Sequence, residues 1–129
     1  MLTACAVATP RLPKTLPVTE DWYPSASTRA GEEGRVLVEF QLDERRRPTA
    51  AMIREPAPFA RLNYMAPRVA IDGLKFDPED RTKPSPKHIY RVTLIFCLRP
   101  GHCDDMVPFL GTVPVTVTAK RPLIEVITP

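Results

Sequence analysis

His88-Ile89-Tyr90-Arg91-Val92-Thr93-Leu94-Ile95-Phe96-Cys97-Leu98 is the stretch whose reading decides the fold. Successive side chains of an extended chain point to opposite sides, so Tyr90, Val92, Leu94, Phe96 and Leu98 share one face. Ile89, Arg91, Thr93, Ile95 and Cys97 share the other. Upstream, a polar loop from Glu79 to Lys87 carries Pro84 and Pro86. Before it, Phe59, Leu62, Ala66, Val69 and Ala70 recur at three- and four-residue spacing, which predicts a helix from Pro58 to Gly73. Pro67 falls inside that helix and should kink or split it, because it removes one backbone hydrogen bond. Further upstream, Val36, Val38, Phe40 and Leu42 alternate as a strand, and Ala51 and Ile53 mark a weaker one in Thr49–Glu55. The charged turn Asp43–Arg47 joins them into an antiparallel hairpin. A short helix opens at Pro24 and stops at Gly31. The order is helix, strand, strand, helix, strand. The simplest packing is an α+β sandwich, a small antiparallel sheet with two helices on one face.

Composition bounds the rest. At 129 residues the chain is one domain with short appendages, and it can bury enough surface to fold without a metal or disulfide staple. Its 16 prolines argue against a coiled coil or long helical bundle, since each interior proline costs about 3 kcal/mol in a helix. A net charge of +3 is too mild to imply nucleic acid, and Arg45-Arg46-Arg47, the only basic run, has no aromatic platform beside it. No run of apolar residues is long enough to span a bilayer. Five glycines leave little material for a phosphate-binding loop, and no hydrolase elbow is written in the chain. His88 has no local carboxylate-and-nucleophile signature around it. No catalysis and no cofactor are therefore assigned.

Residues 20–100 resemble the C-terminal domain of the TonB family, the periplasmic end of energy transducers in Gram-negative bacteria. The residues that carry the resemblance are Tyr23-Pro24-x-Ala26, Gly34-Arg35-Val36-x-Val38-x-Phe40, Leu42-Asp43 with Arg47, Ile53, Lys75-Phe76-x-Pro78 and the closing Phe96-x-Leu98. Departures occur at Arg46, where the family usually has Gly, and at Leu74, where it usually has an aromatic. Pro67 and Gly73 also stand where the family has helix formers. The resemblance implies a domain at 21–100 that binds a segment of an outer-membrane receptor in energy-coupled transport. That segment would pair beside the last strand by β-augmentation, in which an extended peptide satisfies the unpaired backbone groups of a sheet edge. The partner-binding residues implied are His88, Ile89, Tyr90, Arg91, Val92, Thr93, Leu94 and Ile95, with Tyr23 and Pro24 on the approach. Tyr90, Val92, Leu94 and Phe96 are expected in the core, so affinity would reside in the backbone, with Arg91 and Thr93 biasing side-chain choice. The same edge could pair two copies of the chain.

The ends bear on location. Leu2-Thr3-Ala4-Cys5 resembles a bacterial lipobox, which makes Cys5 the lipidation candidate. A full signal also carries a charged start and an apolar run. Either Met1 is internal to a longer precursor or the match is chance. From Thr9 to Trp22 no hydrophobic periodicity appears, and Pro10, Pro13 and Pro17 predict an extended spacer, so residues 1–20 are read as a lipobox remnant and tether. The expected setting is the periplasm, with membrane attachment through Cys5. Pro100-Gly101 can reverse the chain, so Cys97 and Cys103 would form a disulfide in that compartment. A metal site drawn from Cys97, His102, Cys103 and Asp104 is a competing option, though the spacing matches no usual zinc pattern, and reduced structural cysteines are a third. Residues 101–129 form a C-terminal extension in which Val113, Val115 and Val117 alternate and Leu123–Ile127 gives a second short run, together a candidate hairpin. Were that hairpin to cover the edge of 88–98, it would block the binding mode. The function from another class is a periplasmic lipoprotein scaffold that binds peptidoglycan or another envelope protein without energy transduction.

Overall fold

A computed structural model gives the structure of the chain and describes residues 10–18, 21–99, 101 and 103–119. The fold is α+β. In chain order it contains helix α1 (Ser25–Ala30), strands β1 (Gly34–Leu42) and β2 (Pro48–Glu55), and helix α2 (Ala60–Arg68) with a π-helical turn at Val69–Gly73. Strands β3 (Tyr90–Cys97) and β4 (Val113–Thr118) follow. They form one four-stranded sheet in the order β2-β1-β3-β4. The expectation of a wholly antiparallel sheet needs correcting. The β1 pairings with β2 and β3 are antiparallel, but β4 runs parallel to β3, with Val92 opposite Val113 and Cys97 opposite Thr118.

A parallel neighbour demands a crossover, because the chain must return the length of the strand before pairing. That return lies between β3 and β4, and its described residues Cys103, Phe109 and Thr112 cover the sheet face opposite the helices. It explains why the second face of β3 is not wet. Thr93 is fully buried and Ile95 and Cys97 nearly so. The Phe109 amide donates to Thr93 Oγ1 at 2.9 Å, and the Thr93 and Thr112 hydroxyls lie 2.6 Å apart. Arg35 stacks on the Phe109 ring, 4.1 Å from its centroid, and donates to the Val107 carbonyl.

The main core lies between the sheet and the helices. Val36, Val38, Phe40, Tyr90, Val92, Leu94, Phe96, Val115 and Val117 meet Leu62, Ala66, Val69 and Ala70 there. Burying a side chain such as Phe40 or Phe96 stabilises by roughly 1.5–3 kcal/mol, against about 1 kcal/mol for the Arg91–Glu39 ion pair, whose Arg91 end is open to solvent. Apolar alternation therefore fixes which face of each strand turns inward. The ion pair, which sits on residues directly opposite in the β1–β3 register, refines it.

The helix breaks are local events with visible causes. Pro67 lies in the last turn of α2 and has no N–H to give back to the preceding turn. Beyond it the winding loosens, and the Leu74 amide donates to the Val69 carbonyl, five residues back, at 2.9 Å. Gly73 is required by Trp22, since a Cβ there would fall 2.6 Å from the indole Nε1. At the start of α2 the Asn63 side chain clasps the Ala57 peptide, accepting from its N–H at 2.7 Å and donating to its C=O at 2.8 Å.

Two expected boundaries move. Residues 10–18 do not stand off the domain as a spacer. Pro13 and Val18 are buried, the Leu16 amide donates to Lys75 O at 2.9 Å, and the Asp77 amide donates to Lys14 O at 2.8 Å. A proline-rich stretch without periodicity can still be laid into a groove one pocket at a time. The C-terminal extension likewise joins the domain as β4, with Val115 and Val117 in the core and Pro114 on the outermost strand. Cys5 and the second run of the expected hairpin, Leu123–Ile127, lie outside the described residues.

Candidate functional site

Strand addition needs a sheet edge with open N–H and C=O groups. The strand expected to supply it, β3, is interior, because β4 pairs along it from Val92 to Cys97. The residues assigned to partner binding there are engaged within the domain. Tyr90 is buried, and its hydroxyl accepts from the Ser85 amide at 2.9 Å. Val92 and Leu94 are fully buried core, and Ile95 packs under the crossover beside Cys97 and Cys103. Arg91 Nε donates to Glu39 Oε2 at 2.8 Å, and Thr93 is sealed beneath Phe109. Of this set, His88 and Ile89, ahead of the strand, and the Arg91 side chain reach solvent, with the His88 ring edge-on to Tyr90 at 4.7 Å. Tyr23 is also core. It meets Phe96 edge-to-face at 5.5 Å, and its hydroxyl donates to the Glu32 carbonyl. Burial, then the nearby Glu33 and Glu32 carboxylates, push its pKa far above the usual phenol range, so it stays neutral. Pro24 caps α1 and, with Ala60, Arg61, Tyr64 and Met65, lines a shallow apolar hollow.

Among the described residues, no strand or bridge pairs with the outer edge of β2. Its middle is mostly exposed, with Thr49, Ala50, Met52, Arg54 and Glu55 open to solvent. The strand is not a plain ladder. Gln41 faces Thr49 while Glu39 faces Met52, and Val38 faces Ile53 while Leu37 faces Glu55, so β2 carries an extra residue at two places. Ala50, in the first bulge, has a left-handed backbone with φ of 53°. Such bulges twist an edge and interrupt its row of backbone groups, which leaves only short regular stretches along it.

Beside the start of β2 opens a cleft of about 600 Å³, walled by the hairpin turn on one side and Ile71, Leu74 and Phe76 on the other. Arg45, Arg47 and Lys75 contribute to its lining. The turn is held by Asp43, whose Oδ1 accepts the Arg45 and Arg47 amides at 2.8 Å each. The Arg47 amide foremost holds the Asp43 carboxyl below its usual range. Arg46 stands at φ 63° where glycine would be easiest, and its guanidinium reaches back to the carbonyls of Asp80 and Thr82, the latter at 2.8 Å. The arginine run was legible as a hairpin tip. Its use as a clamp on residues 80–82 was not, because only the folded chain brings those carbonyls near.

At the opposite corner, Cys97 and Cys103 form a disulfide with Cα atoms 6.0 Å apart. Sequence reasoning missed Glu33. Gly34 pairs with Phe96, so the residue before β1 is brought beside the end of β3. Glu33 Oε2 accepts the Leu98 amide at 2.8 Å and lies 3.4 Å from Cys103 Sγ. No helix of the described residues is long and apolar enough to cross a membrane. Comparison with family models, with curated proteins and with solved structures finds no match for this chain.

Proposed function

We propose that the chain is a protein-binding domain of a Gram-negative cell envelope, of the TonB C-terminal type, which receives an extended segment of an outer-membrane receptor by strand addition at β2. The observation that carries this is the outer edge of β2, which no strand or bridge among the described residues pairs, beside the cleft lined by Arg45, Arg47 and Lys75. The succession of α1, β1, β2, α2 and β3 follows the order that the resemblance implies, which supports the same reading. The contact moves from β3 to β2 because β4 already satisfies the far side of β3. Backbone pairing supplies affinity with little sequence demand, and the basic lining favours an acidic residue at one end of the segment.

Titration of isotopically labelled protein with extended receptor-derived peptides tests the proposal. Amide shifts concentrated at Thr49–Arg54, with the β3 amides unmoved, are the expected result. Shifts confined to β3, or none at saturating peptide, would sink it. The same basic lining favours a second reading, a scaffold that holds anionic cell-wall polymer. Retention on purified sacculi, lost in Arg45→Glu with Lys75→Glu while peptides fail to bind, would select it.

A further inference from the structure

We propose that the reduced protein uses Cys97, Cys103 and Glu33 as a binding site for one thiophilic divalent cation of the zinc class, so that the disulfide and the metal site are two redox states of one triad. One ligand atom from each residue falls within 4.8 Å of the other two. Cys97 and Cys103 are both buried, and Glu33 is half-buried. A tetrahedral zinc with bonds of about 2.3 Å to sulfur and about 2.0–2.2 Å to oxygen sets ligand atoms about 3.5 Å apart for O···S and about 3.7 Å for S···S. The Glu33–Cys103 separation of 3.4 Å already meets the first distance. The second requires the bonded sulfurs, now 2.08 Å apart, to separate by about 1.6 Å, a displacement that side-chain rotation provides.

Three features make the site more than a coincidence of residue types. The three ligands come from three segments, the lead into β1, the end of β3 and the crossover, so a bound cation would replace the disulfide as a staple. The Leu98 amide donates to the Glu33 carboxylate and orients it toward the sulfurs. A groove lined by Ile95, Gly101, Asp104 and Met106 opens beside the pair, leaving room for a water as fourth ligand. Two thiolates and a carboxylate carry three negative charges in a small volume, and a divalent cation neutralises most of that repulsion. The chemistry balances in two steps. A dithiol reductant delivers two electrons and two protons, cleaving the S–S bond and becoming a disulfide itself. The cation then displaces the two thiol protons to solvent as both sulfurs ligate it.

The test uses the full chain with Cys5→Ser, which removes the third thiol. A water-soluble phosphine reduces the disulfide, taking oxygen from water to become the phosphine oxide, and is then removed without air. Cadmium(II) is titrated while thiolate-to-metal charge-transfer absorbance is followed, and zinc(II) is used to displace it. The expected result is one cadmium per chain in the reduced protein, displaceable by zinc, and none in the oxidised protein. Affinity should fall at least about tenfold in Glu33→Gln and vanish in Cys97→Ser with Cys103→Ser. Circular dichroism of each reduced sample is read alongside. Uptake by the reduced protein no greater than by the double serine variant would overturn the proposal. So would cadmium affinity indifferent to Glu33→Gln, the behaviour of a dithiol in an unfolded chain.

Discussion

Arg46 holds two opposed effects in one residue. A left-handed backbone costs an L-residue roughly 1–2 kcal/mol, while its guanidinium anchors the 80–82 loop through carbonyl hydrogen bonds. Arg46→Ala keeps the backbone strain and loses the anchor, whereas Arg46→Gly loses the anchor but relieves the strain. Both should melt below the wild type, with the glycine variant about 1 kcal/mol more stable than the alanine variant by urea denaturation. Reversal of that order would show that the turn changes conformation when the arginine is removed. Asp80 governs the same loop. The Thr82 hydroxyl first, then the Lys14 and Thr82 amides and Arg11, hold its carboxyl well below the usual carboxylate range. A folded-state pKa below the unfolded one gives a stabilisation that is complete above about pH 4 and lost as the pH falls through that region toward the folded value. Urea midpoints taken from about pH 6 to about pH 3 should therefore fall less steeply for Asp80→Asn than for the wild type.

The bulges of β2 set the next scale. Ala50 stands at φ 53°, a position that glycine takes without steric penalty, so Ala50→Gly should stabilise the domain by about 0.5–1 kcal/mol while leaving the β1–β2 register intact. Chemical denaturation with an amide spectrum checks both halves, and a fall in stability would mean that the bulge is not set by residue 50. These elements also show what alternation can and cannot say. The pattern of Tyr90 through Leu98 and of Val36 through Leu42 announced two strands and their inward faces, since burial on one side writes itself into every second residue. Val113, Val115 and Val117 announced a strand too, and one that could cover the edge of 88–98, but period two is the same for parallel and antiparallel partners, so the direction and place of β4 in the sheet were not legible. Gly73 was legible as the end of a helix, but its packing against Trp22 was not, a contact across 51 positions of chain that no local pattern encodes. The cleft beside β2 is of the same kind, assembled from a turn and a helix end that meet only after folding.

At the scale of the whole molecule, the disulfide and the crossover decide whether the sheet keeps its fourth strand. Cys97–Cys103 closes a short loop at the point where the chain leaves β3, and removing such a bridge typically costs about 2–4 kcal/mol. Cys97→Ala with Cys103→Ala should lower the denaturation midpoint accordingly, and hydrogen exchange should quicken at β4 before β1 and β3. Uniform acceleration across the sheet would mean that β4 is held by its own packing alone. The isolated bridge between Val18 and Val117 joins segments from the two halves of the chain, and they run in the same direction. A load drawn backward through residue 10 and forward through residue 119 would therefore pull these neighbours past each other along their axes. The six residue pairs of β3 and β4 would share that shear together instead of breaking in succession, and a domain strung between two attachment points would resist tension where it is held by the fewest residues.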